Sequence, residues 1–244
     1  MSMKNITKLN YQSHKTRTGV SLLLWCFMTV LFALPASAQI ALRGSQTSTS
    51  TTTSVTIAKP ANLAVGDLML ANIVQSDSGD NQVLSNATAS GWTLVAGREF
   101  GNVGSNSWWG TILYKVATTT DVAATNFTFA GDADAEDTEG GIAAFSGVAV
   151  TGGVSGGPFD VAPGTISIAN NDDFSATAIS TATANAAVVM FGMIGDDRSI
   201  DAWTATSPAT LTEIFDGPFN ATLDMGMGMA WALKPTTGST GTGA

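Results

Sequence analysis

Short segments in which apolar and polar residues alternate run through this chain of 244 residues from about position 50 onwards. A period of two places side chains on opposite faces of a β-strand, and the Gly, Pro, Asn and Asp between segments favour turns. Beyond the first 38 residues, no long window shows a helical period. The predicted strands span residues 51–58, 67–74, 92–96, 107–117, 126–129, 141–150, 174–179, 186–194, 210–215 and 224–233. We therefore predict an all-β fold, an antiparallel two-sheet sandwich that is jelly-roll-like.

The two halves of the chain share a faint repeat. Residues 66–117 and 185–235 each offer a strand, a loop, a short strand, a turn and a long strand. This repeat predicts two Greek-key-like halves of one sandwich. The alternative is chance, because alternating β segments resemble one another easily.

The last predicted strand alternates bulky and small residues. Met225, Met227 and Met229 fall on one face, while Gly226 and Gly228 fall on the other. Methionine is a common filler of cores, and glycine within a strand often marks the close approach of another layer or of a ligand. We expect the methionines to be core residues.

The N-terminus has the three parts of a secretory signal. Four basic residues precede an apolar run over 19–34, and Ala36-Ser37-Ala38 is a small-x-small cleavage site. We predict a signal peptide over residues 1–38 that is cut before Gln39, and a secreted or cell-surface location. An uncleaved anchor is a weaker alternative because the apolar run is shorter than the roughly 20 residues of a membrane span. A lipoprotein linked through Cys26 is weaker too, since bulky residues precede that cysteine.

After this cleavage the chain would contain neither histidine nor cysteine, because His14 and Cys26 are its only ones. That composition excludes an imidazole base, a thiolate nucleophile, a disulfide and a zinc site built on nitrogen or sulfur. Six Lys and Arg would face 19 Asp and Glu. Such an acidic surface repels nucleic acid and anionic membranes. We expect a protein without catalytic activity.

The predicted domain organisation is simple. Residues 39–235 are long enough for one β-sandwich domain. Residues 236–244 have the Gly/Thr composition of a flexible linker or tail.

The densest run of acids is the candidate metal site. Asp132, Asp134, Glu136 and Asp137 lie in a short glycine-bounded segment. Alternating carboxylates can wrap a Ca²⁺ ion, which takes six to eight oxygen ligands, although the spacing is not that of an EF-hand. The alternatives are a solvated acidic turn and, more distantly, a carboxylate pair of a glycoside hydrolase.

Three tryptophans are the candidate ligand-binding residues: Trp108, Trp109 and Trp203. Neighbouring residues of a strand point to opposite faces, so one of Trp108 and Trp109 is predicted to be core and the other exposed or loop-covered. An exposed ring beside polar loops can stack on a sugar. The alternative is an ordinary core aromatic.

Several segments together resemble a β-sandwich domain that recurs in secreted bacterial surface, adhesin-like and phage tail-fibre proteins. They are residues 60–73, 91–95, 113–118, 141–148, 158–160 and 231–235. The resemblance implies a structural or adhesive module, and it carries over no catalytic residue. We therefore expect a non-catalytic binding module whose partners are extracellular glycans or neighbouring surface domains. The alternative is a lectin-like carbohydrate-binding module with structural calcium.

Overall fold

The computed structural model describes residues 39–79, 83–103, 106–168, 175–220 and 222–244, with residues 102 and 103 described by their backbone alone. The predicted signal peptide over 1–38 and residue 174 of a predicted strand lie outside the described residues. Among the residues described, no helix has the length and apolar character needed to cross a bilayer.

Strands dominate the described chain, in agreement with the predicted all-β fold. The strands are β1 (Ala41–Ser50), β2 (Ser54–Ala58), β3 (Leu68–Asp77), β4 (Thr93–Val103), β5 (Asn106–Val116), β6 (Asn126–Ala130), β7 (Asp137–Ser146), β8 (Ser180–Thr181), β9 (Ala186–Ile194), β10 (Thr212–Phe219), β11 (Met225–Lys234) and β12 (Gly238–Ser239). A short helix, α1 (Thr119–Ala123), follows β5, and a 3₁₀ turn spans Val154–Gly156.

The central layer is a five-stranded antiparallel sheet in the order β1-β7-β3-β5-β4. All ten residues of β3 are buried, because both of its edges are paired and both of its faces are covered. The near-continuous apolar run from position 68 to 74 is therefore the central strand that the sequence predicts.

A small two-stranded sheet, β2–β6, covers one face of the central sheet. Its inward side chains Val55, Ile57, Phe127 and Phe129 are buried in one cluster with residues of β3, β5 and β7. The burial of β6 alternates strictly between exposed and buried, which is the pattern of a strand with one face on a core.

A three-stranded antiparallel sheet, β10-β11-β9, covers the other face. Met225, Met227 and Met229 are fully buried against β3 and β7, so the methionines are core residues as expected. The glycine face of β11 meets a further apolar layer. A Cβ at position 228 would lie 2.6 Å from Cζ2 of Trp203. The antiparallel β-sandwich is thus confirmed. The two-sheet prediction lacked the β2–β6 sheet, which forms a third layer on the central sheet. The Greek-key halves stay a prediction.

The sequence predicts a flexible tail over residues 236–244, and here the structure differs. β12 pairs with β8, and Thr240 is only 4% exposed. Gly243 exchanges two backbone hydrogen bonds with Ala176, and Ala244 exchanges two with Thr204. The small residues that indicated flexibility also let the backbone approach these partners closely, so the segment completes the fold.

Deleting residues 236–244 should therefore destabilise the protein. The deletion removes the backbone partners of Ala176, Thr204, Ile179 and Ser207. Each intramolecular hydrogen bond contributes about 0.5–1.5 kcal/mol, and each kcal/mol lost lowers the midpoint of thermal unfolding by about 2–4 °C at this size. Calorimetry should record a drop of several degrees. An unchanged midpoint would show that the segment is a free tail in solution.

Candidate functional site

The adjacent tryptophans of β5 lie on opposite faces of the central sheet, as strand geometry predicts. The Trp108 ring packs on the side of β9, and its indole Nε1 donates to the carbonyl of Asp224 at 3.1 Å. The Trp109 Nε1 donates to Oδ1 of Asn86 at 2.9 Å. Both rings are half-buried, and both polar atoms are used within the protein.

Trp203 occupies a third place, on the outer side of the β10-β11-β9 sheet. Its side chain is 4% exposed and packs with Met190, Ile200 and Leu211. The structure therefore does not bring the three predicted ligand-binding tryptophans to one surface, and it places Trp203 in a core.

The predicted metal-ligating carboxylates also go to separate partners. Asp132 accepts hydrogen bonds from the amide and hydroxyl of Ser85 and from the amide of Asp134. These donors hold the pKa of Asp132 below its ordinary value. Glu136 accepts from the amide and hydroxyl of Ser78.

Asp137 is buried and accepts from the amide of Thr222 at 3.0 Å, whereas Asp134 is exposed. Across the described ranges, no three acidic, histidine or cysteine side chains come together in a way that could hold a metal ion. Calcium binding at Asp132, Asp134, Glu136 and Asp137 stays a prediction without an assembled ligand set.

Sequence reasoning missed a buried polar seam between the central sheet and the β10-β11-β9 sheet. Asn72 on β3 is fully buried, and its Nδ2 donates at 3.2 Å to the carbonyls of both Gly192 and Gly228. This one side chain therefore fastens β3 to β9 and β11. The seam continues along β7 with Glu139, which is 1% exposed.

Glu139 faces β10, where its Oε1 would lie 2.6 Å from a Cβ at position 217. Its Oε2 accepts no hydrogen bond from the described protein groups. Burial, and secondly the charge of Asp216, raise the pKa of Glu139 to about 8. The carboxyl is therefore held largely in its protonated form at neutral pH.

A cleft of about 540 Å³ lies beside the edge strand β9. Its floor is formed by paired residues of β4 and β5, in which Ala96 lies opposite Ile112 and Arg98 lies opposite Gly110. Gly110 allows β9 to come close, since a Cβ there would collide with Met193. β4 lies one strand beyond β5, so its face toward the cleft is not covered by β9.

The opposite side of the cleft is apolar, and its end wall is partly so. Val189, Phe191 and Met193 of β9 face the floor, and residues 158–167 form a wall that includes Phe159. The Phe159 ring packs edge-on against Tyr114 at 5.1 Å between centroids, which fixes the wall to β5.

Among the residues that the structure describes, two ionisable side chains line the cleft, Arg98 and Asp160. Asp160 is already bonded, because it accepts from the amides of Ala182 and Thr183 and from the Thr183 hydroxyl. Burial alone would raise its pKa, but these hydrogen bonds outweigh burial and hold the pKa below its ordinary value. Arg98 is exposed, and its Nη1 donates one long hydrogen bond of 3.4 Å to the carbonyl of Ile166.

Comparisons of this chain with protein-family models, with curated proteins and with solved structures found no match. The resemblance to surface and tail-fibre domains therefore stays a prediction from sequence.

Proposed function

We propose that this chain is an exported, non-catalytic binding module whose ligand site is the cleft beside β9. Ligand pockets typically measure about 300–1,000 Å³ and are mostly apolar with a few polar groups. The cleft, at about 540 Å³, has this size and this lining. That match is the observation that carries the proposal, and the predicted export signal and the acidic charge support a place for the module outside the cell.

The non-catalytic part of the proposal rests on the chemistry of the lining. General acid–base catalysis needs a group that can give or take a proton near neutral pH. Asp160 is held as a carboxylate by three donors, and Arg98 stays charged. Neither group is suited to that task.

The carbohydrate-binding alternative has less support. Sugar stacking requires an exposed aromatic face, and Trp203 is buried while the rings of Trp108 and Trp109 are half-buried with their N–H groups bonded inside the protein. A binding site for an apolar molecule agrees better with the cleft than a glycan platform does.

Ala96→Trp tests the proposal, because it places an indole on the floor of the cleft. Leu94→Trp is the matched control. It puts the same side chain on the same strand, but the bulge between positions 94 and 96 turns it to the other face, where Leu94 is 48% exposed. The probe is N-phenylnaphthylamine, a neutral dye whose fluorescence rises in apolar surroundings.

We expect the wild-type protein and Leu94→Trp to bind the dye equally and Ala96→Trp to bind it at least about tenfold more weakly, since the cleft would be filled. Equal binding by all three, with thermal unfolding showing each to be folded, would place the dye elsewhere and overturn the proposal.

A further inference from the structure

We propose that the ligand of the cleft is a straight-chain amphiphile with an anionic headgroup, with its tail on the β4–β5 floor and its headgroup at Arg98. This inference rests on the proposed function, since it assumes that the cleft is a ligand site, and it adds the chemical class of the ligand.

The form of the cleft favours a linear molecule. The lining reaches from Leu68, which pairs with Val116 at one end of β5, to Phe100 near the other end. That distance is about eight residues of strand, or roughly 25 Å. Along the strands the cleft therefore offers a channel long enough for an extended chain.

The lining along this channel favours an alkyl tail. The floor presents Ala96 and Ile112, and the facing strand presents Val189, Phe191 and Met193. Burial of apolar surface is the dominant favourable contribution to such contacts, and it grows with the number of methylenes covered. The lining also carries hydroxyl side chains, such as Thr165 and Thr177, but most of its surface is apolar, so an apolar chain gains more from burial here than a polar one does.

The charge distribution favours an anionic headgroup. Arg98 and Asp160 are the ionisable residues in the described part of the lining, and the Asp160 charge is met by three donors. The guanidinium of Arg98 carries five donors. The structure gives it one long hydrogen bond, to Ile166. A carboxylate can bind a guanidinium through two parallel hydrogen bonds. A cationic headgroup would instead meet the like charge of Arg98.

Titration calorimetry on the full chain tests the proposal with octanoate, decanoate and dodecanoate below their micelle concentrations, and with the neutral dodecanol below its solubility limit. Affinity should rise by about fourfold for each added methylene until the tail fills the channel. Dodecanoate should bind roughly fivefold more tightly than dodecanol, as for an exposed ion pair.

Arg98→Gln should remove the preference for the carboxylate while leaving the binding of dodecanol unchanged. The matched control is Arg198→Gln, which removes an exposed arginine that pairs with Asp196 away from the cleft. This control should keep the preference. Ala96→Trp should weaken the binding of every member of the series. Because Arg98 is exposed, its variant should fold even if Ala96→Trp does not.

The outcomes separate the two proposals. Equal affinity for dodecanoate and dodecanol, with both weakened by Ala96→Trp, would overturn the anionic headgroup and leave the binding module standing. A preference for dodecanoate over dodecanol that survives Arg98→Gln would also overturn the inference. So would a protein that sediments with phosphatidylglycerol vesicles but does not bind the free acids. If neither the series nor the naphthylamine dye binds, both proposals fail.

Discussion

Replacing Glu139 with glutamine should remove a large loss of stability that the wild-type protein shows as the pH rises from about 4.5 to about 8. The carboxyl has an ordinary pKa of 4.5 and a pKa raised to about 8 in the folded protein. Between these values the folded state holds a proton that the unfolded state has released. The free energy of unfolding is therefore greatest below pH 4.5 and falls by about 1.4 kcal/mol per pH unit, or about 5 kcal/mol by pH 8. A glutamine side chain does not titrate, so this fall should vanish in the variant.

Guanidinium unfolding at a series of pH values from 5 to 9 measures the effect. The folded pKa values of Asp132 and Asp160 are lowered, so these groups reduce the free energy of unfolding only as the pH falls below 3.8. They therefore do not affect the measurement between pH 5 and 9. Glu213→Gln is the control, because Glu213 is exposed on β10. This variant should show the same fall in the free energy of unfolding with pH as the wild type. If the free energy of unfolding of Glu139→Gln fell with pH as steeply as that of the wild type, the result would contradict burial of the Glu139 carboxyl without a hydrogen-bond donor.

Phe129→Ala should cost about 3–5 kcal/mol of the free energy of unfolding. Phe129 is fully buried between β6 and the central sheet, and its ring packs edge-on against Trp92 at 5.0 Å between centroids. Alanine would lose these contacts and leave a cavity. Chemical unfolding followed by the fluorescence of Trp92 and the other tryptophans measures the change.

Thr128→Ala is the matched control for that experiment. Thr128 is the preceding residue of β6 and points outward, where its hydroxyl shares a hydrogen bond with Thr56. Its loss should cost no more than about 1 kcal/mol. Similar small losses for both variants would mean that β2–β6 does not pack on the central sheet as a third layer.

The strands that could be predicted from sequence are those whose side-chain pattern is strong. β3 is apolar throughout because both of its faces are covered, and β11 alternates bulky and small residues because each face meets a different layer. β1 was missed. It is an outermost strand whose residues are half-buried or exposed, so serines and threonines replace the apolar alternation.

Other differences have equally local causes. β4 was predicted only to position 96, but two bulges, at Val95 and Phe100, shift the alternation and hide the rest of the strand. The predicted strand over 174–179 is not formed in its described part, where Ala176 alone makes a bridge, to Gly243. The alternation of apolar and polar residues also shows which side of a strand is buried, but it does not show which sheet that side packs against. The position of the β2–β6 sheet could therefore not be predicted.

The candidate site could not be predicted, because it is assembled by tertiary packing. The cleft joins β4, β5, β9 and residues 158–167, which carry no shared motif. Glu139 lies at the end of the acidic run that the sequence predicts to be a calcium site or a solvated turn. It lies against Gly217 and near the charge of Asp216, both on β10 and far along the chain from β7. The opposite orientations of Trp108 and Trp109 follow from strand geometry alone and were predicted.

A crystal structure of the full chain with terminally brominated dodecanoate would test the central claim most directly. Anomalous scattering locates the bromine, and the carboxylate is located from the electron density. We predict the bromine in the cleft between Ile112 and Val189, with the carboxylate hydrogen-bonded to Arg98. A bromine at Leu94 on the opposite face of the central sheet, or an empty cleft at saturating ligand, would contradict the account.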